Sequence, residues 1–256
     1  MRFHLFEFTD LVQCPAFIKS SIQEYLDYVS ERFQIFQVAM PLLDKALKGS
    51  RASEILDLGS GAGSGMQHAW KPLIKSNPGL TIQLSDLNPI VPPPEFTEEG
   101  IEYVNGSVDA RSIPRNMPGF RTMFTVAHHF RPEVLKNVIQ DARNSNSGLA
   151  IFEPVHRGIA SILSMVLILP CMVLVFTPFI RPRRFSRLFF TYIIPVITFA
   201  IVWDGIVSSL RAYKPDELLR LARSTEGPDW HWDCGILTGP SGVKITYLTG
   251  VPDRSN

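Results

Sequence analysis

The chain has little charge imbalance and few cysteines. Its 25 lysines and arginines nearly match its 24 aspartates and glutamates, leaving a net charge of +1. Composition therefore supplies no overall basic field, and no nucleic-acid partner is expected. Only three cysteines, Cys14, Cys171 and Cys234, occur in 256 residues. They lie far apart without CxxC spacing, which argues against a disulfide framework or a cysteine zinc site, so reduced thiols and no metal are expected. Residues 1–10 are interrupted by His4, Glu7 and Asp10 and lack the long apolar core of a secretory signal, so an intracellular protein is expected. No internal repeat or low-complexity stretch stands out.

What the chain does have is an apolar strand running into glycines. Residues 54–65 read Glu-Ile-Leu-Asp-Leu-Gly-Ser-Gly-Ala-Gly-Ser-Gly. Gly59, Gly61 and Gly63 let backbone N–H groups approach a ligand closely and tolerate positive φ. The dinucleotide fingerprint GxGxxG is missing, because Ser64 stands five residues after Gly59 and Met66 five after Gly61. A nicotinamide dinucleotide is thereby disfavoured. Asp57, two residues before the first glycine, suits a ligand with a cationic or amine-bearing end.

Length allows one domain with an elaboration. Apolar residues recur at helical spacing from Lys19 to Lys48, with a break expected at Pro41. Strands are then expected at Glu54–Leu58, Leu80–Leu84, Ile101–Val104, Thr122–Ala127 and Gly148–Phe152. Helices fall over 64–76 and 131–144, the second with Pro132 near its first turn. Alternation of this kind implies a parallel sheet whose ligands gather at the carboxyl ends of the strands. Asp86, Asp109, His128 with His129, and Glu153 each follow a successive apolar run. After Glu153 the pattern gives way to a hydrophobic stretch and resumes at Lys214, with a helix over 215–224 and a closing strand pair, 230–237 and 243–247. The expected fold is α/β, a Rossmann-like sheet with a parallel core and a terminal antiparallel strand pair. Its parts are an N-terminal helical cap (1–50), a cofactor-binding core (51–156), a hydrophobic helical insertion (157–213) and a C-terminal helix with the closing strands (214–256).

The motif Asp57-x-Gly59-x-Gly61-x-Gly63, followed by Leu84-Ser85-Asp86-Leu87-Asn88-Pro89 and by Gly106-Ser107-Val108-Asp109-Ala110, resembles class I S-adenosylmethionine-dependent methyltransferases over residues 50–155. The resemblance implies S-adenosylmethionine as cofactor. It would set the glycine turn against the methionine part, Asp86 against the ribose hydroxyls, Leu87 on the adenine face and Asp109 at the adenine amino group. A carboxylate suits two hydroxyl donors, and charge-assisted hydrogen bonds are about twice as strong as neutral ones. From the residues alone, the alternative for Asp86 is a turn-capping aspartate, and the same alternative weighs more heavily for Asp109. Outside the core, Phe3-His4-Leu5-Phe6-Glu7 with Pro15-Ala16-Phe17, the run His128 to Glu133, and Trp203-Asp204-Gly205 through Leu210-Arg211-Ala212-Tyr213 resemble a methyltransferase subgroup that brings no known substrate with it.

Methyl transfer from a sulfonium asks the protein to align an acceptor and, for some acceptors, to remove a proton. It requires no metal. His129 and His128 are the candidates for a general base, since imidazole titrates in the useful range; the bland alternative is one histidine packed in the core and the other capping the following helix. Glu153 is a candidate for binding the acceptor, or else a salt-bridge partner of an arginine such as Arg157. Tyr25, on the N-terminal helix with Tyr28, is a candidate acceptor contact or a packing residue.

The 22 residues from Ile159 to Ile180 carry no charge, enough in length to span a bilayer, although Pro170 and Pro178 interrupt them. A second uncharged run, Leu188 to Trp203, has 16 residues and is broken by Pro195. Arg181, Arg183, Arg184 and Arg187 lie between the two. Two spans would put this loop opposite the catalytic domain, against the preference of arginine-rich loops for the cytosolic side. A monotopic arrangement on the cytosolic face of a membrane has no such conflict, with arginines at the headgroups and Phe185, Phe189, Phe190, Tyr192 and Trp203 at the boundary. A soluble lid and a homodimer interface remain alternatives. The expected function is methyl transfer to a small lipophilic acceptor entering through an apolar mouth. The competing expectation is a membrane-associated binding or assembly protein on the same fold without transfer activity.

Overall fold

A computed structural model describes residues 2–61, 63, 67–89, 100–240 and 242–253. The expected helix start at Ser64, and Ser241 of the last turn, lie outside the described residues. The N-terminal cap comprises α1 (Ala16–Arg32), a 3-10 turn (Ile35–Ala39) and α2 (Met40–Ser50). Pro41 does not break a helix here. It sits in the first turn of α2, where its missing N–H costs nothing, and the break falls earlier, at Gln34 with φ +48°.

The sheet contains β1 (Glu54–Leu58), β2 (Thr81–Ser85), β3 (Ile101–Tyr103), β4 (Phe120–Phe124), β5 (Leu149–Glu153), β6 (Trp230–Thr238) and β7 (Lys244–Pro252), in the order β3-β2-β1-β4-β5-β7-β6. The first five strands of this row are parallel, and β7 runs antiparallel to both β5 and β6. β4 and β5 are buried along their whole lengths, because both faces of a parallel sheet are covered by helices; β5 is apolar up to Glu153, whereas β4 buries Arg121 and Thr122 among its apolar residues. On those faces lie α3 (Gln67–Ser76) and α4 (Pro132–Asn144). Strand order reverses beside β1, so a crevice opens at its carboxyl end between β2 and β4. The fourth strand ends three residues before its expected limit because Thr125 adopts φ +59° and the chain turns into a 3-10 helix at Ala127–His129. That early turn brings the histidines over the crevice.

The hydrophobic insertion forms α5 (Ile159–Leu167), α6 (Leu169–Phe176), α7 (Phe185–Tyr192) and α8 (Val196–Arg211); the chain then returns through α9 (Pro215–Arg223) to the sheet. Ile159–Phe179 is long and apolar enough to cross a membrane, and only 6% of its most apolar window is buried. The second apolar run is not a straight helix, since α7 and α8 meet at 74°. Ile18, Ile22 and Tyr25 of α1 share a buried cluster with Val173, Ile180, Ile197, Ala200 and Ile201, so the insertion is packed on the cap. Asp204, Ser208, Ser209 and Arg211 of α8 are also buried, which assigns that face of the helix to the protein interior, whereas Phe199 on the same helix is exposed.

Candidate functional site

The turn after β1 is a backbone cradle. Gly59 and Gly61 have φ of +72° and +57°; a Cβ would lie 2.9 Å from Val126 on the first and 2.7 Å from the Gln23 amide on the second. Gly59 and Ser60 N–H groups donate to Ser85 O at 2.8 and 2.9 Å, and Gly63 N–H donates to Ser60 O at 2.8 Å. The Tyr103 hydroxyl donates to Gly61 O. Asp86 Oδ2 accepts the Gly61 N–H at 2.9 Å, while Oδ1 accepts the Asn88 N–H at 2.8 Å. A carboxylate has about four acceptor positions, so each oxygen retains capacity for another donor. Asp86 thus serves as the turn cap that its sequence alternative described and still has acceptors to offer.

Register explains Asp57. It pairs across the sheet with Thr122, whose hydroxyl donates to Asp57 Oδ1 at 2.6 Å; Ser60 Oγ donates to Oδ2 at 2.7 Å. Burial pushes its carboxyl up to about 7, against the pull of those two hydroxyls, and the neighbouring Asp86 adds to the rise. Leu87 is half exposed. Asp109 is bound by Arg111, which donates from Nε at 2.8 and 2.9 Å and holds the carboxyl below its usual range.

At the other end of the crevice the N-terminal segment meets the turn after β4. His128 is buried, with Nδ1 2.7 Å from Glu153 Oε2. Glu153 Oε1 accepts the Ala127 N–H at 2.6 Å. Glu153 is wholly buried at the end of β5 and does not reach the cavity. The expectation that it touches the acceptor is corrected: the strand end points it beneath the histidine. Its alternative partner is also different, since Arg157 bonds Glu217 at 2.7 Å. His129 is partly exposed and places Nδ1 2.9 Å from Asp10 Oδ1. Glu7 is buried beside both imidazoles, and Arg211 bridges it to Asp10 at 3.1 and 2.7 Å. Asp204 accepts the Phe8 N–H at 2.7 Å and fixes the segment in place.

One cavity of about 750 Å³ joins these groups. Asp57, Gly59, Gly61, Gly63, Asp86, Leu87 and Asp109 line one part; Glu7, Asp10, His128 and His129 line another, and Met165, Leu169, Met172 and Ile201 of the insertion contribute apolar walls. Tyr25 also lines it, and its buried hydroxyl has no hydrogen-bond partner among the described residues. Tyr28 instead packs on Phe176, with ring centroids 6.0 Å apart. Sequence reading quoted the segments holding Glu7, Asp204 and Arg211 without giving these residues a role. Asp204 and Arg211 stand seven apart in an apolar helix, on one face, and that spacing was the available signal.

No family model and no curated protein matches the sequence. Solved structures do match in fold. Human N-acetylserotonin methyltransferase, in complex with SAM, is 15% identical with a TM-score of 0.50, over 96% of this chain and 62% of its own. The present chain therefore spans less than two thirds of that protein. The plantazolicin methyltransferase BpumL, in complex with SAH, is 12% identical with a TM-score of 0.58 over 91% of this chain and 90% of its own. BpumL with a pentazolic desmethylPZN analog and SAH gives 11% and 0.55. With the strand order β3-β2-β1-β4-β5-β7-β6 and antiparallel β7, these likenesses identify the chain as having the class I S-adenosylmethionine-dependent methyltransferase fold.

Proposed function

We propose that the protein transfers a methyl group from S-adenosylmethionine to a small lipophilic acceptor at the cytosolic face of a membrane. The observation that carries this reading is the single cavity joining the glycine cradle and Asp86 to a histidine–carboxylate cluster under an apolar lid. The cradle fits the cofactor: a Cβ at Gly59 or Gly61 would fill it, and Asp86 has acceptor positions left for ribose hydroxyls. The cofactor, when bound, supplies an electrophilic methyl group. Gly59, Gly61 and Gly63 would leave room for its amino-acid end, Asp57 would face the ammonium, and Leu87 and Asp109 would border the adenine. His128 and His129 line the same cavity and would border the acceptor's nucleophilic atom, and the apolar residues of the insertion would shield it from water. Incubation with methyl-labelled cofactor and a cellular lipid extract tests the reading. Label in an extractable compound supports it; bound cofactor with no label transferred favours the binding-protein alternative.

Asp57 gives the cofactor site a pH dependence. Below about pH 7 its carboxyl is protonated and must lose that proton to face an ammonium. Affinity is expected to fall by up to about tenfold per unit of pH below 7 and to level off above it. Titration calorimetry at pH 6 and pH 8 checks this, and Asp57→Asn should flatten the profile.

The outer face supports the membrane part. Ile159, Leu167, Phe179, Phe185 and Ile193 are all more than half exposed, and Arg181 and Arg183 beside them are exposed and form no ion pair among the described residues. Arg184 and Arg187 have a different role from the headgroup contacts expected of them, because both bond Glu24 of α1. Vesicles containing phosphatidylserine are expected to sediment the protein, and Arg181→Glu with Arg183→Glu to weaken that binding by about 2 kcal/mol or more, at about 1 kcal/mol per arginine. Failure to sediment, with elution as a dimer, would assign the face to self-association.

A further inference from the structure

The cluster at the histidine end gathers two imidazoles and a buried carboxylate around Arg211, whose Nη1 reaches Glu7 Oε1 at 3.1 Å and His129 Nδ1 at 3.3 Å. Glu153 accepts from His128 Nδ1 at 2.7 Å, so that nitrogen carries the ring proton; His129 Nδ1 lies 2.9 Å from Asp10 Oδ1 and 3.3 Å from Arg211 Nη1, and in the tautomer that serves the shorter contact it too carries its proton on Nδ1. In the neutral rings both Nε2 atoms are then bare. They face one carboxylate: Nε2 of His128 is 3.9 Å from Glu7 Oε1, and Nε2 of His129 is 3.7 Å from Glu7 Oε2. Oε1 is already engaged, accepting from Ser208 Oγ and Arg211 Nη1 at 3.1 Å each. One ligand atom from each of Glu7, His128 and His129 lies within 4.8 Å of the others. These separations exceed hydrogen-bond length. They are wider than the edges of a coordination sphere with bonds of about 2.0–2.2 Å, so closure on a metal needs the side chains to rotate inward.

Charge and support point the same way. Glu7, Asp10, Glu153 and Asp204 bring four carboxylates to the cluster, three of them buried; Arg211 bonds Glu7 and Asp10, and Arg2 donates to the His128 carbonyl at 3.4 Å. Carboxylates outnumber the guanidinium groups bonded to them here, and a divalent cation would offset part of that excess. Metal-ligating histidines almost always donate their second ring N–H to a carboxylate, carbonyl or water, and here both do so to carboxylates that are themselves held.

We propose that Glu7, His128 and His129 bind a divalent transition metal, zinc-like in preference, with open coordination positions toward the cavity. Two histidines and one carboxylate form a ligand set that leaves room for a substrate atom. On the methyl-transfer reading, on which this role but not the metal binding rests, an acceptor oxygen entering the sphere would lose its proton more readily. The expectation that the chain holds no metal came from cysteine spacing, which does not address a histidine–glutamate site assembled from residues about 120 positions apart.

The test uses the full chain, stripped with chelator and titrated with Zn²⁺ and with Co²⁺. One Zn²⁺ per chain, a thermal midpoint that rises with Zn²⁺ concentration, and visible Co²⁺ bands are expected. Glu7→Gln and His129→Ala should each weaken binding by at least tenfold, whereas Cys14→Ser, Cys171→Ser and Cys234→Ser together should leave it intact. The midpoint measurement on the unaltered chain needs no variant to fold. Absence of stoichiometric binding, or equal binding by Glu7→Gln and His129→Ala, would overturn the proposal. Cofactor titration of the same protein separates the two ideas: a chain that binds cofactor but takes up no Zn²⁺ sinks the metal site alone, and one that takes up Zn²⁺ but binds no cofactor sinks the methyl-transfer reading alone.

Discussion

Asp86→Ala is expected to weaken S-adenosylmethionine binding by roughly 1–3 kcal/mol, about 5- to 150-fold in dissociation constant. Two losses add. The ribose hydroxyls would lose a charged acceptor, and charge-assisted bonds are worth about twice a neutral one. The Gly61 and Asn88 N–H groups would also lose the carboxylate that orients them, so the cradle itself would relax. Asp86→Asn keeps the shape and one acceptor oxygen, and an intermediate loss is expected. Calorimetry on both variants separates charge from shape. An Asp86→Ala protein that is folded and binds with unchanged affinity would remove Asp86 from the cofactor site.

Arg187→Ala is expected to cost about 3–5 kcal/mol of stability, the range for breaking a buried ion pair from one side. The guanidinium is buried, bonds Glu24, and donates to Ile180 O at 2.6 Å and Pro182 O at 2.7 Å. Burial pushes its pKa down and Glu24 opposes the shift, so charge is kept there by that partner. Removing the side chain leaves two carbonyls without their donor and frees the loop between α6 and α7 from α1. Arg184, 3.0 Å from Glu24, would retain part of the link. The loss should appear as a lower denaturant midpoint and as proteolysis near 181–187. A change below about 1 kcal/mol, typical of an exposed pair, would contradict the buried role.

The core was legible because its signals are local. Five apolar runs ended within about three residues of where strands end, and the glycine turn and Asp86 are written contiguously with β1 and β2. Asp57 was legible as a residue but not as a buried carboxyl raised toward 7, because Thr122 reaches it only through strand register. The histidine end was harder. Its histidines were singled out, yet their partners Glu7, Asp10 and Arg211 lie 82 to 121 positions away and meet them only when α8 folds back over the crevice. The insertion was read as two runs with a free arginine loop. The structure gives Arg184 and Arg187 to Glu24, because a partly buried carboxylate on α1 is a better partner than water for a loop packed against it.

The central claim is that the cavity under this lid holds S-adenosylmethionine. Isothermal titration of the intact chain with the cofactor at pH 8 tests it most directly. The account predicts saturable binding at one site per chain, lost in large part in Asp86→Ala. No heat of binding from a folded protein, with no protection of its thermal midpoint, would contradict it.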